Sequence, residues 1–426
     1  IHRWFGWMAK IQFLPAVLAL NLGVIILLVA LTLIFGRVYC SVICPMGVFQ
    51  DLVSWINGRR SRKSRMRFTW SPAKNVLRYG MLAIFIIALF AGAGSVVALL
   101  APYSSYGRIV SNLFAPIWQW GYNALAFFAE RLDSYAFYST EVWLKSLPTF
   151  IIAAATFIAI VILAWRNGRT YCNTICPVGT VLGFLSRFSL FQVKIDGEKC
   201  RECSLCTRQC KASCIDYKNH SIDHSRCVSC FNCIGACTHG AISYGSRFGA
   251  KSAKSGGAAT TGNIPAGESG SGFVAGKKAA PAAEDKSRRS FLAVSAMLAT
   301  AATVKAQEKK VDGGLAVIVD KKIPERATKI VPAGAVGLRN FSRHCTGCQL
   351  CVSVCPNQVL RPSAGLLTLM QPEMSYERGY CRPECVKCSE VCPAGAIRPI
   401  TVEEKSSIKI GHAVWVKQNC IPLTDG

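Results

Sequence analysis

The chain is short of charge, and shorter still of acid. Of 426 residues only 17% are charged, and 23 Asp and Glu stand against 49 Lys and Arg, a formal net charge of +26. With 51% hydrophobic residues and a mean hydropathy of +0.31, this scarcity argues against a purely soluble globular protein and calls for a membrane portion. The shortage of acid excludes an acid-rich disordered chain, and is compatible with nucleic acid, anionic lipid or bound anionic cofactors. The haem-attachment motif C-x-x-C-H is missing as well: Cys206, Cys233, Cys351 and Cys388 are followed by Thr207, Ile234, Val352 and Ser389. Covalent c-type haem is thereby excluded. No initiator methionine precedes Ile1, and Cys420 stands near the end without neighbouring cysteines, so the sequence reads as a fragment or a processed chain.

Cysteine, by contrast, is abundant. The 22 cysteines fall largely in tight runs with metal-ligand spacing, which excludes a disulfide scaffold. Four runs carry the pattern: Cys200, Cys203, Cys206, Cys210; Cys227, Cys230, Cys233, Cys237; Cys345, Cys348, Cys351, Cys355; and Cys381, Cys385, Cys388, Cys392. Three thiolates on one short loop cap three irons of a cubane, while the fourth reaches the other cluster of the pair. The expected ligand sets are therefore Cys200, Cys203, Cys206 with Cys237; Cys227, Cys230, Cys233 with Cys210; Cys345, Cys348, Cys351 with Cys392; and Cys381, Cys385, Cys388 with Cys355. Tetrahedral zinc needs only two C-x2-C pairs and has no use for the remaining cysteines. Pro356 and Pro393 follow the last cysteine of each run in the second pair, whereas Lys211 and Thr238 replace them in the first. Cys214 competes with Cys210, and the fourth run is one residue longer, with Pro383 inside the expansion. Four clusters at roughly −2 each would bring the formal charge from +26 to about +18. Basic residues beside the runs (Arg201, Arg208, Lys211, Arg226, and Arg343, Arg382, Lys387, Arg398) either offset that charge or form an ordinary solvated surface.

Three uncharged runs, Leu14 to Phe35, Tyr79 to Leu100 and Leu147 to Trp165, are long enough to cross about 30 Å of hydrocarbon as helices. They lack the periodic polar positions of a helix buried in a soluble core. Arg59, Arg60, Arg62, Lys63, Arg65 and Arg67 follow the first run and Arg166 and Arg169 the last, which places both connections in the cytoplasm. The loop from Pro102 to Ser146 then lies outside. Its stretch Ile109 to Phe128 reads as an interfacial or re-entrant segment, anchored by Trp118, Trp120, Tyr122 and Trp143. Nucleic-acid binding is not expected, because topology explains the densest basic run.

GRVYCSVICPMGVFQDLVS, from Gly36, and GRTYCNTICPVGTVLGFLS, from Gly168, form an internal repeat in which each copy follows a span on the same side. Pro45 and Pro177 should open helices with Cys44 and Cys176 at their N-termini, which favours thiolate. If the repeats face each other, Cys40, Cys44, Cys172 and Cys176 converge on one further iron–sulfur cluster; the rivals are a redox dithiol pair and inert buried thiols.

The organisation is multi-domain. An α-helical membrane part (1–190, three spans plus the interfacial segment) precedes a small α+β bacterial-ferredoxin-like module for two [4Fe-4S] clusters (191–244). A flexible Gly, Ala, Ser and Lys linker (245–286), a twin-arginine-type segment (287–306) and a second such module (307–426), read as truncated, follow. Ser287-Arg288-Arg289-Ser290-Phe291-Leu292 ahead of a weakly apolar run has the form of an export signal for folded proteins, and Ala299-Thr300-Ala301 is a candidate cleavage site. His220 and His224 lie between cluster runs and read as solvated; His344, beside Cys345, either tunes a cluster or faces water.

The repeat with its two C-x3-C-P motifs, followed by tandem ferredoxin runs, resembles the NapH-like membrane quinol-dehydrogenase components of periplasmic nitrate reductase systems and the polyferredoxins of nitrous-oxide respiration. The segment from Ser287 is similar to the NapG-like exported ferredoxin partner. The resemblance implies a multi-pass protein of the bacterial inner membrane, with the first module cytoplasmic and the second periplasmic. It implies quinol as donor, the quinone pool and an extracytoplasmic reductase as partners, and electron transfer between them as the function. It identifies no quinone site. Two other classes stay open: a redox-driven maturation or regulatory membrane iron–sulfur protein, and a cluster subunit of a larger oxidoreductase.

Overall fold

A computed structural model describes residues 7–60, 68–132, 136–248, 311–312, 316–317, 328–377, 379–410 and 415. The linker, the arginine pair, the candidate cleavage site and Cys420 lie outside them. The chain divides into two compact units, one of residues 1–249 with 326–426 and one of residues 250–325. In the latter the described residues form a short antiparallel pairing, Val311–Asp312 with Ala316–Val317.

The helical part of the first unit contains α1 (Phe13–Leu18), α2 (Leu22–Phe35), α3 (Pro45–Arg60), α4 (Asn75–Ala91), α5 (Gly94–Leu100), α6 (Pro102–Ile109), α7 (Ala115–Arg131), α8 (Leu147–Asn167), α9 (Thr170–Thr174) and α10 (Pro177–Ser186). Pro45 and Pro177 open α3 and α10, where a missing N–H is harmless. Among the described residues one helix, α8, is long and apolar enough by itself to cross a membrane. The three uninterrupted spans expected from hydropathy are thus corrected to one. The first run breaks at Leu20, left-handed at φ 53°, where the Asn21 side chain caps α2. The second breaks at the left-handed Gly92. Hydropathy averages over both breaks because, Asn21 apart, the residues around them are apolar. The segment Ile109 to Phe128 is helical, with a π-turn over Val110–Phe114 joining α6 to α7.

Around its apolar core this part exposes large apolar side chains and encloses four charged ones. Leu22, Ile26, Ile87, Phe90, Ile151 and Ile158 are exposed, while Arg37, Arg78, Arg108 and Arg169 are fully enclosed.

The two cysteine modules dock on opposite ends of the helices. The first module meets the C-terminal end of α2, where the Ser229 and Tyr244 hydroxyls donate to the Phe35 carbonyl, and the N-terminal end of α4, where Arg78 donates to Ser225. It also meets the C-terminal end of α8, where the Arg169 N–H donates to the Lys211 carbonyl (2.8 Å). The second module meets the other ends: Gly395 lies against Ala19 ahead of α2, Arg343 against Gly92 behind α4, and Lys145, ahead of α8, donates to the Val352 carbonyl. Between the modules runs α8, 21 residues long, or about 31 Å at 1.5 Å per residue. Trp143, expected in a lipid-facing belt, instead pairs with the Gln358 side chain and lies under the Arg361 guanidinium at 4.5 Å.

The first module pairs β1 (Phe191–Ile195) with β4 (Ile242–Ser246) antiparallel, Phe191 opposite Ser246 and Ile195 opposite Ile242, and β2 (Ile215–Asp216) with β3 (Ser221–Ile222). Short helices α11 (Leu205–Gln209) and α12 (Asn232–Ala236) follow the cysteine loops. The second module has α13 (Leu338–His344), α14 (Leu350–Val354), the pair β5 (Leu360–Pro362) and β6 (Pro372–Met374), α15 (Lys387–Val391) and α16 (Val402–Ser407).

Within the helical part, a methyl group at Gly47 would strike the Cys40 carbonyl, and one at Gly179 the Cys172 carbonyl. Gly47→Ala or Gly179→Ala should destabilise the chain by about 1–3 kcal/mol. Gly80→Ala, in mid-α4 with nothing within 4 Å, should stabilise it by roughly 0.5–1 kcal/mol. Thermal unfolding midpoints in detergent check the contrast, and equal effects at Gly47 and Gly80 would refute it.

Candidate iron–sulfur sites

Each C-x2-C-x2-C loop needs its backbone to curl so that three sulfurs face one point. In three of the four runs this is done by left-handed residues at the same two places, one before and one after the second cysteine: Glu202 and Ser204, Ser229 and Phe231, Gly347 and Gln349. The curl points backbone N–H groups at sulfur, so that Ser229 donates to Cys227, Asn232 to Cys230, Gly347 to Cys345 and Leu350 to Cys348. The longer fourth loop has no left-handed residue among its described positions.

Three cavities follow. One of about 390 Å³ is lined by Cys200, Cys203, Cys206 and Cys237, and one of about 340 Å³ by Cys345, Cys348, Cys351 and Cys392. The third, of about 350 Å³, is lined by Cys210, Cys214, Cys227, Cys230 and Cys233. The remaining set is drawn together at Cys388, which senses Cys381, Cys385 and Cys355. Among the described residues no three Cys, His, Asp or Glu side chains close on the position of a single metal ion; a lone Zn²⁺ would need every sulfur at about 2.3 Å. In three of the sets the cavity brings together at least four sulfurs, a donor set of the kind a multi-iron cluster takes.

Burial pushes the Cys348 and Cys388 thiols up to about 11, and the Cys345 and Cys351 thiols up as well. A cluster held by these thiols would displace their protons on binding. Cys214 is the exception in role. Its Sγ lies 3.5 Å from that of Cys210, and hydrogen bonding through Cys214 lowers both Cys210 and Cys227 while Cys214 itself is raised. Those directions favour Cys210 over Cys214 as the thiolate of the pair. Cys210 also has the extended conformation (φ −80°, ψ 97°) of Cys237, Cys355 and Cys392.

Histidine contributes little. The His344 ring bonds the Asn340 carbonyl (2.9 Å). His220 and His224 are half-buried rather than solvated, and burial lowers His224 below the usual histidine range.

The repeats bring the four remaining candidate cysteines together. Cys40, Cys44, Cys172 and Cys176 are each 4–5% exposed and lie in one apolar cluster, within electrostatic reach of one another. Desolvation of so enclosed a thiolate opposes the helix-terminus field on which the sequence expectation rested. The repeat arginines cross over. Arg37 of the first copy donates to the Cys172 carbonyl (3.3 Å) and Asn173 (2.9 Å) of the second, and Arg169 of the second donates to the Cys40 carbonyl of the first. Gly36 and Gly168, at φ 79° and 64°, make the turn that lets each arginine do so. The copies differ in charge: Asp51 pairs with Arg169 at 2.7 Å, but its counterpart is Gly183, whose missing side chain leaves room for the Arg78 guanidinium.

Two residues near the sites were not singled out by sequence reasoning. Lys405, 4% exposed, donates to Cys381 Sγ (3.2 Å) and to the Arg382 and Cys385 carbonyls. Gln50 donates to Cys172 Sγ (3.2 Å). Neither lies in a cysteine run, although the Thr401-x-x-Glu404 capping box marks the helix that carries Lys405.

Comparison with known proteins finds two kinds of 4Fe-4S domain in the chain. A 4Fe-4S binding domain matches residues 17–64 and again 149–196, once on each repeat, and a 4Fe-4S dicluster domain matches residues 344–397. The chain thus carries 4Fe-4S regions of ferredoxin type. Over about half its length it is similar to an uncharacterised protein of Methanocaldococcus jannaschii (26% identity, 51% of this chain and 68% of that one). It is similar to the putative electron transport protein YccM of Escherichia coli (23% identity, 53% and 55%) and to the ferredoxin-type protein NapH of Haemophilus influenzae (25% identity, 55% and 71%). No solved structure matches.

Three substitutions test the ligand geometry. Cys214→Ala should retain wild-type iron while Cys210→Ala loses about four iron per chain, one [4Fe-4S] cluster; iron analysis giving the reverse order would make Cys214 the ligand. Lys405→Met should keep its iron but lower one midpoint potential in a redox titration, since a positive hydrogen-bond donor to sulfur favours the reduced state.

Proposed function

We propose that the chain is a membrane-embedded electron-transfer protein that relays electrons from quinol to an extracytoplasmic reductase. The arrangement that carries this reading is linear. The Cys210, Cys227, Cys230 and Cys233 set packs against the helical part through Ser229 and Lys211, and the Cys345, Cys348, Cys351 and Cys392 set packs against its other end, where Gly107 abuts the Cys348 carbonyl. The four repeat cysteines lie within the helical part that separates them, and the two remaining sets complete the modules. A single-function ferredoxin has no need of modules at both ends of an apolar bundle about as thick as a bilayer.

Clusters held by these cysteines supply one-electron oxidation and reduction. The chain supplies the rest. Its cysteines fix five redox positions in order, and the apolar cluster around Cys40, Cys44, Cys172 and Cys176 keeps water from the central one. Arg37, Arg78 and Arg108 hold positive charge inside a bundle with little acid to oppose it. The exposed Ile and Phe side chains of α4 and α8 suit lipid, and α3 brings Asn57 beside the Trp165 carbonyl, at the end that meets the first module, so the arginine-rich sequence that follows α3 favours that end as cytoplasmic. The second module is then periplasmic, consistent with the export-type sequence that precedes it.

Two experiments test this. In proteoliposomes under anaerobic conditions, a quinol analogue should reduce the clusters of both modules, whereas the double variant Cys44→Ser, Cys176→Ser should have one module reduced and the other left oxidised by electron paramagnetic resonance. Reduction of both modules in the double variant would remove the central site from the relay. Added protease should cleave the second module in intact spheroplasts, and complete protection there would overturn the proposed sidedness.

A further inference from the structure

Arg108 lies at the seam between the helical part and the second module and is completely enclosed, at 0% exposure. Its Nη1 donates to the Ala98 carbonyl (2.7 Å) and its Nη2 to the Ser105 hydroxyl (3.0 Å), while Nε has no hydrogen-bond partner among the described residues. Both acceptors are neutral. Arg169 has Asp51, but among the described residues no carboxylate forms an ion pair with Arg108. Cys348 and Tyr171 both lie within its electrostatic reach, and Tyr171 shares one buried cluster with Cys176, Cys172 and Cys44. The α6 backbone is pressed against the cysteine loop, since a methyl group at Gly107 would strike the Cys348 carbonyl. The next turn is latched to the same loop: Ser111 and Asn112 donate to the Gln349 side-chain oxygen at 3.0 and 2.8 Å.

An enclosed guanidinium without a counter-charge is strongly unfavourable, and such groups persist where an opposite charge faces them. Protonated thiols do not supply that charge. Four thiolates around a cubane do, at roughly −2 overall.

We propose that Arg108 is the counter-cation of the iron–sulfur site formed by Cys345, Cys348, Cys351 and Cys392, and that it holds the reduction potential of this site up. The inference rests on the reading of those cysteines as cluster ligands. Ala98 and Ser105 fix the guanidinium in place, and the surrounding apolar side chains leave its field weakly screened. Arg108 is a tuning residue and touches no reacting atom of a substrate.

The test uses the full chain, purified anaerobically in detergent, with iron analysis and potentiometric titration followed by electron paramagnetic resonance. The signal that Cys348→Ser alters identifies the site. Arg108→Gln should retain wild-type iron and move that midpoint lower by at least a tenfold change in the redox equilibrium, 59 mV for a one-electron couple, leaving the other midpoints in place. Arg108→Lys should restore most of the shift, an outcome that a purely steric role would not produce. Ser105→Asp, which sets a carboxylate on the guanidinium, should lower the same midpoint and decides the matter if Arg108→Gln fails to accumulate. Full iron with an unmoved midpoint in either variant overturns the proposal. A wild-type chain that binds no iron overturns the cluster reading itself, and iron analysis separates that result from the first.

Discussion

Two guanidinium groups tie the centre of this molecule together. Arg37 leaves the first repeat to bond the second, and Arg169 leaves the second to bond the first, each ending on the carbonyl of the other copy's leading cysteine. A positive charge enclosed in apolar surroundings has few stable positions, because every donor left unbonded costs free energy. Crossing over satisfies most of the donors and in the same act fixes the spacing of Cys40, Cys44, Cys172 and Cys176. Packing of α3 and α10, the seat of the first module on Ser225 and Lys211, and the position of the central site all follow from that exchange.

The departure from symmetry between the copies follows the same logic. Asp51 neutralises Arg169 and also pairs with Lys211 at 3.4 Å, beside the first module. Among the described residues Arg37 pairs with no carboxylate: with Arg78 it converges on the Ser225 carbonyl, at 3.0 Å from each. One face of the central site is therefore charge-balanced within the protein, and the other carries excess positive charge toward the Cys227 set. Arg108 repeats this excess toward the Cys348 loop. In a chain so poor in acid, anionic groups bound by cysteine are the natural complement of enclosed arginine.

The modules show how a short motif specifies geometry through its backbone. Glu202, Ser204, Ser229, Phe231 and Gln349 adopt left-handed conformations that non-glycine residues rarely take. Such strain persists where the surrounding structure, here a loop shaped around a site, over-determines it. The fourth loop, lengthened around Pro383, reaches its site differently and is held by the Lys405 ammonium.

The order of the cysteines was legible in the sequence because their spacing is a local property: C-x2-C-x2-C fixes a loop, and a proline after a cysteine fixes a helix start, whatever surrounds them. The repeat and the apolar character of the helical part were legible for the same reason. Hydropathy overcounted uninterrupted helices, since a left-handed Leu20 or Gly92 interrupts a helix without changing its apolarity. Nor could it show that Trp143 serves the docking of the second module, a contact made 215 residues away along the chain. Which cysteines share a cavity, which arginine lacks a carboxylate and which lysine reaches a sulfur are decided by segments far apart in sequence. Their energies depend on burial and on the partners present there, and only the folded chain sets these.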